Sequence, residues 1–409
     1  MTTTSNDPHE ILALNCGSTS VRFAFYRLCG SSEQRIYHGL LEQIGTPQAA
    51  FHALNEDDEK LTSGSETLDD HEAALARLFA WLGDHSPKPR IEAVGHRIVH
   101  GGTAHHQPTP VTEQLIESLR RLVPLAVEHL PHGIKGIEAI LHRFPEIPQV
   151  ACFDTAFHRT MPEIARYYAL PRRFRDNGIQ RYGFHGLSCE YIVQELQRCD
   201  ALATGRERLI IAHLGGGSSM TAVRDGQSIE TTMGMTPLAG LVMSRRCGDI
   251  DPGVLIHLLR EKHMTVEELD RILNQQSGLL GISGHSADMR TLRARENEDP
   301  RAAEAIALYC HQARKYVGAL TASLGGLDKL IFTAGIGENS CVVRARICDG
   351  LEHLGIRIDP EANAIHAQVI SAADSNVEVR VMKTNEELMI ARQTMGVITE
   401  KTDRGAPAT

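Results

Sequence analysis

Two arginines stand in surroundings that do not favour charge. Arg97 lies inside the apolar run AVGHRIVHGG, and Arg246 follows MGMTPLAGLVMSR, a stretch otherwise poor in charge. An unpaired buried guanidinium is very costly, so each needs an anionic partner, either a structural carboxylate or a substrate. Two such arginines converging would offer planar forks to a carboxylate and to a phosphoryl group in transfer. Asp154 closes the apolar run QVACFD, and strand ends in α/β folds are where ligands sit. A carboxylate there can hold magnesium directly or through water, or simply cap the next turn. In TNEEL, Thr384 and Glu387 have the spacing of a capping box, which leaves Glu386 as the metal candidate.

Two turns of small residues could face phosphate. Residues 15–20 (NCGSTS) and 215–219 (GGGSS) impose little steric bulk, so their backbone amides can approach anionic oxygens; a tight hairpin turn is the plain alternative. Neither has the GxxxxGK[ST] pattern of a P-loop. His96, His100, His105 and His106 cluster, but their spacing matches no zinc-ligand motif. His185 stands in the compact RYGFHG, whose chemistry cannot be read from the residues alone.

The elements that must position these groups are mixed. ILALNCGSTSVRFAFY reads as strand, turn and returning strand, and LIIAHLGGGSSMTAVRDG repeats that plan nearly two hundred residues later. Two copies of one unit suggest a duplicated fold with a cleft between the halves. Helical patterns at 71–82 and 113–122, with apolar strands in IEAVGHRIVHGG and PQVACFDTAF, make the class α/β. KLIFTAGIGENS reads as a strand entering a glycine turn, followed by a helical pattern over 341–354; that arrangement can hold phosphate. The last helix should begin at TNEEL and return to the cleft.

At 409 residues the chain should hold two domains. Its composition is globular, with disorder expected only at the two ends. A net charge of −9 argues against a general nucleic-acid binder. No run approaches a membrane span, and MTTTSNDPHE lacks the features of a secretory signal, so a cytoplasmic location is expected. Nine scattered cysteines without a CxxC pair fit reduced thiols.

Taken together, LNCGSTSVRF, GHRIVHGG, FDTAFHRTMP, RYGFHG, HLGGGSS, TTMGMTPLAGLVMSRRCGDIDP, GISGHSADMR, FTAGIGENS and TNEELMIAR resemble the acetate kinase family, in that family's order and nearly end to end. The family belongs to the sugar kinase, Hsp70 and actin superfamily. The resemblance implies two duplicated ribonuclease H-like (actin-like ATPase) domains flanking a nucleotide cleft. It assigns 1–154 plus 387–409 to an N-terminal domain with the returning C-terminal helix, and 155–386 to a nucleotide-binding and dimerisation domain. It also implies magnesium, with manganese as an alternative, ATP or ADP as substrate, and a stable homodimer.

By the same resemblance Asn15 and Glu386 would hold the metal, with Asp154 nearby. Arg97 and Arg246 would clamp the acid and the developing charge, and His185 would hydrogen-bond the moving phosphoryl group. Val99, Phe184 and Pro237, with Arg97, would wall the acid pocket. His213, Gly215, Gly216, Gly217 and Ser218 would face phosphate, and Ser18 and Arg22 would also bind the nucleotide. Ser283, Asp288, Arg290, Gly335, Gly337 and Asn339 would cradle the nucleotide. The implied chemistry is direct in-line attack by a carboxylate on the γ-phosphorus, helped mainly by positioning and charge neutralisation.

Several positions depart from the family pattern. Arg22 replaces a lysine, and Gly216 an asparagine that would donate to phosphate. Thr103 and Cys189 replace glutamate and histidine. Glu128, in LAVEHLP, stands where an apolar leucine lines the acid's methyl pocket, so acetate specificity is not simply inherited. The leading expectation is reversible ATP-dependent phosphorylation of acetate. Propionate or another short acid is the alternative within the class, and a nucleotide-binding regulatory protein with weak turnover the alternative outside it.

Overall fold

The computed structural model describes residues 8–85, 90–199 and 207–405. The ends expected to be disordered, 1–7 and 406–409, lie outside these. The chain forms two compact units, Met1–Ala156 with Asn385–Thr409, and Phe157–Thr384. Each boundary differs by two residues from the expected one, and Glu386 therefore belongs with the first unit.

The first unit carries an eight-stranded sheet of β1 (His9–Cys16), β2 (Ser20–Cys29), β3 (Ser32–Glu42), β4 (Ala50–Asn55), β5 (Lys60–Ser65), β6 (Ala93–Ile98), β7 (Thr109–Pro110) and β8 (Gln149–Phe153), in the order β5-β4-β3-β2-β1-β6-β8-β7. β1 to β5 form antiparallel neighbours, whereas β6 and β8 run parallel to β1. Ile11 to Leu14 and all of β8 are buried, as expected for central strands covered on both faces. Helix His71–Asp84 is capped by Asp70 and helix Glu113–Leu122 by Thr112, each side chain accepting a backbone N–H of the first turn.

In the second unit, β9 (Arg208–Leu214), β10 (Ser218–Arg224), β11 (Gln227–Thr231), β12 (Lys329–Thr333) and β13 (Glu378–Val381) lie in the order β11-β10-β9-β12-β13. β9 pairs antiparallel with β10 and parallel with β12, and β12 parallel with β13. That is the arrangement of β3-β2-β1-β6-β8 in the first unit, so the repeated hairpin is part of a repeated five-strand core. The glycine turn expected after β12 is a short helix, Ala334–Asn339, because Glu338 turns its carboxylate back to accept the N–H of Ala334 at 2.8 Å.

The final helix, Glu386–Gly405, packs on β1, β2, β6 and β8 of its own unit. Gly95 permits this: a Cβ there would collide with Thr394 Oγ1 and Ile390 Cγ2. Arg392 anchors the helix through two guanidinium nitrogens, Nε and Nη2, to Glu33.

Candidate active site

In the first unit the carboxyl ends of three parallel neighbours, β1, β6 and β8, carry Asn15, Arg97 and Asp154 to one edge of the sheet. Arg22 faces Asn15 across the antiparallel ladder. Asp154, 1% exposed, receives Arg97 through Nε (3.2 Å to Oδ1, 3.0 Å to Oδ2) and Nη2 (2.6 Å to Oδ2). The remaining nitrogen, Nη1, lies 3.1 Å from Glu386 Oε2. Burial alone would lower the Arg97 pKa; Asp154 and Glu386 more than reverse this and hold it raised. Burial pushes the Asp154 carboxyl up to about 6, against the pull of Arg97 and with the push of Glu386. At neutral pH the pair is ionised.

The C-terminal helix begins differently from the expected capping box. Asn385, not Thr384, is the cap: its Oδ1 accepts the Leu388 N–H at 2.9 Å and a hydrogen bond from Tyr26 at 3.0 Å. Thr384 is drawn away, its N–H donating to Glu338 and its hydroxyl to Ser188. Glu387 is thereby released from capping. Its Oε1 is buried without a hydrogen-bond donor, 3.8 Å from Arg22 Nε, and burial followed by the Glu386 charge raises its pKa. Two arginines thus face three carboxylates, a surplus of negative oxygen with one oxygen unsatisfied. Such a donor set suits a hard divalent cation, although no preformed cluster of three or more acidic, His or Cys ligands exists among the described residues.

The second unit presents a different set. His185 occupies the left-handed region (φ 58°) at the start of helix Gly186–Arg198, a strained position for a residue with a side chain. Its ring stacks on His213, centroids 4.1 Å apart and planes 17° from parallel. Nδ1 of His185 lies 2.9 Å from Ser219 Oγ, and Nδ1 of His213 lies 2.8 Å from Ser188 Oγ. A Cβ built on Gly217 would sit 3.2 Å from His185 Nε2 and 3.7 Å from Arg246 Nη1. The absent side chain therefore marks where a histidine nitrogen and a guanidinium converge. Arg246 is held there by the Pro237 carbonyl, 3.0 Å from Nη1.

A cavity of about 1030 Å³ opens beside them, lined by Gly215, Gly216, Asp288, Arg290, Gly335 and Asn339 among the expected nucleotide residues. It also includes Arg245 and Arg293, which the sequence reading missed; their proximity follows from tertiary packing, and no local motif marks them. Other expected residues are committed elsewhere. The Ser218 hydroxyl holds its own turn through the Gly215 carbonyl (3.1 Å) and meets Tyr309 at 3.0 Å. Ser283 ties the 283–286 turn, and the Gly337 carbonyl accepts from the buried Arg344. Ser18 is exposed in the first unit, and the Arg22 side chain is 61% exposed.

Of the expected acid-pocket residues, Val99 is half-buried against the core of the first unit, while Phe184 is buried and Pro237 half-buried in the second. Glu128 is half-buried in the turn before helix Leu130–Arg143, flanked by buried Ala126 and Leu130. The clustered histidines have structural partners: His96 meets Gln149 at 2.7 Å, His100 accepts the Gly102 N–H, and His105 meets Ser118 at 2.9 Å. Cys189 is buried against Thr221, 3.6 Å away.

A duplicated α/β core, with charged groups at one set of strand ends and glycine turns with histidines at the other, defines a phosphotransferase of the actin-like ATPase type. The chain belongs to the acetokinase family, whose model matches residues 10–392. That family transfers phosphoryl groups to a carboxyl acceptor. An acetate kinase of Rhodopseudomonas palustris is 45% identical over 93% of this chain and 96% of its own, and one of Dictyoglomus turgidum 42% over 96% and 98%. Among solved structures, a propionate kinase of Francisella tularensis superposes with TM-score 0.88 at 38% identity, covering 95% of this chain and 99% of its own. The Porphyromonas gingivalis acetate kinase gives 0.84 at 36%, covering 95% and 100%.

Proposed function

We propose that this chain transfers the γ-phosphoryl group of ATP reversibly to acetate, giving acetyl phosphate and ADP, with magnesium required and manganese as an alternative. The observation that carries the reading is Arg97, clamped between Asp154 and Glu386 at the strand ends. A carboxylic acid is already ionised at neutral pH, so the acceptor needs no general base. Its oxygen forms a bond to the γ-phosphorus as the bond to the ADP oxygen breaks, in line. Asp154 accordingly orients Arg97 rather than removing a proton. In the first unit Arg97 would supply a fork for the acid; in the second, Arg246 would supply one for the transferring group, and His185 would donate to that group.

Asn15 and Glu386, with Asp154 nearby, would hold the metal, whose charge would neutralise the outer phosphates when bound. In the second unit, Gly216 and Gly335 would offer backbone groups to the nucleotide, beside Gly215, whose N–H is held by the Gly217 carbonyl, and Asn339, whose amide is held by the Gly335 carbonyl, with Asp288 and Arg290 at the cavity wall. His213 would face phosphate, and the exposed Ser18 and Arg22 would bind the nucleotide as well. Val99 in the first unit, and Phe184 and Pro237 in the second, would each offer the acid an apolar side chain, which favours a short acid. Helix Pro252–Glu261 has no buried residue and exposes Val254, Ile256 and Leu259, which supports homodimerisation through the second unit. All nine cysteines are free thiols, in keeping with the cytoplasm. Among the described residues no helix is long and apolar enough to cross a membrane.

The similarity to a propionate kinase favours a second reading in which the acid is one carbon longer. A hydroxamate trapping assay with ATP and magnesium over acetate, propionate, butyrate, glycolate and lactate decides between them. Acetate should be preferred, with Glu128→Leu changing it less than about twofold. Nucleotide binding without product from any acid would overturn the reading in favour of a regulatory protein.

A further inference from the structure

The two stacked histidines of the second unit are served by a hydroxyl relay that starts far away in the chain. Thr384 Oγ1 donates to Ser188 Oγ at 2.8 Å, and Ser188 Oγ lies 2.8 Å from His213 Nδ1. Thr384 is itself fixed, its N–H donating to Glu338 Oε1 at 3.2 Å, an oxygen that also accepts the Ala334 N–H. Ser188 is fully buried, in the first turn of the helix that His185 opens.

A hydroxyl has one proton to give. With a lone pair of Ser188 taken by the Thr384 proton, the Ser188 proton is available to His213 Nδ1. That nitrogen then accepts, and a neutral imidazole keeps its proton on Nε2. The stacking allows at most one of the two rings a positive charge, since two positive rings at a 4.1 Å spacing would repel strongly. The other ring of the pair, His185, turns its Nε2 toward Gly217 and Arg246.

We propose that Thr384 and Ser188 are positioning residues, whose relay holds His213 as a neutral Nε2–H donor and through the stack keeps His185 in its strained orientation. The inference rests on the phosphotransferase reading for its kinetic consequence, but not for the tautomer. Thr384 is also the last residue of the second unit, and Asn385, the next, caps the helix that carries Glu386. One short segment therefore serves the histidines with a hydroxyl and the acidic helix with an amide.

The test uses the full chain with ¹⁵N-labelled histidine, the His213 signals being identified by their loss in His213→Gln. The native protein should show a protonated Nε2 and an accepting Nδ1, whereas Thr384→Val and Ser188→Ala should mix the tautomers. In the hydroxamate assay Thr384→Val should lower kcat on the order of tenfold with both KM values within about twofold, and Thr384→Ser should restore it. A native His213 protonated on Nδ1, or a valine variant with unchanged kcat and tautomer, would overturn the inference. If the native protein made no acyl phosphate, the proposed reaction would fall, and the nitrogen spectra would still decide for or against the relay.

Discussion

The two hairpin turns occupy the same place in the same five-strand core, yet their surroundings differ in kind. Near the β1–β2 turn stand Arg22, Arg97, Asp154, Glu386 and Glu387, full charges in close contact. Near the β9–β10 turn stand glycines, serines and two stacked histidines, with Arg246 tied to a carbonyl. One scaffold therefore supports an arginine–carboxylate clamp in one copy and a bed of glycines, hydroxyls and histidines beside an arginine in the other. Strand cores are specified by burial and strand ends are not, so the ends are free to diverge.

The comparison breaks most easily at the clamp. Arg97→Ala leaves Asp154 and Glu386 without their shared cation, and kcat/KM should fall about a thousandfold or more, as measured by hydroxamate formation. A fall below tenfold would mean that the charges of the first unit are structural. In the second unit the sensitive position is a missing side chain. Gly217→Ala places a methyl 3.2 Å from His185 Nε2, and kcat should drop about ten- to a hundredfold with the fold intact by circular dichroism. An unaffected kcat would remove His185 and Arg246 from the reacting group.

The charge clamp should also respond to pH. Burial raises the Asp154 pKa to about 6, so below that value the carboxyl takes up a proton and loosens its hold on Arg97. Turnover should decline on acidification, by about tenfold per pH unit below the pKa. If magnesium binds there as proposed, it would favour the ionised form, and saturating metal should move this acid limb to lower pH. A limb indifferent to magnesium would dissociate Asp154 from the cation.

The smallest effect belongs to the phosphate bed. A side chain at Gly216 would meet little, the nearest atom to a Cβ there being Ser244 Oγ at 4.0 Å. Gly216→Asn, which adds a side-chain amide, should lower the KM for ATP a few-fold at constant kcat, since one hydrogen bond is worth about 1 kcal/mol. An unchanged or raised KM would show that backbone amides already satisfy the phosphates.

Much of this was legible beforehand. The apolar runs around Ile11 and Leu209 announced both hairpins, and a charged residue within or closing an apolar run, as at Arg97 and Asp154, flagged the strand ends. TNEEL misled, because a three-residue spacing describes Thr384 and Glu387 only while neither has a better partner. Ser188 and Glu338 are such partners for Thr384, and they lie 196 and 46 residues away.

The sequence by itself determined most of the strands and longer helices and which residue types stand near their ends, because those depend on short-range propensity and burial pattern. Only the tertiary structure decided that Arg97 serves Asp154 and Glu386 together, that Asn385 rather than Thr384 caps the last helix, and that His213 is tied through Ser188 to Thr384. The reason is competition: a polar side chain takes the best-placed partner, and in a folded chain that partner is set by packing rather than by distance along the sequence.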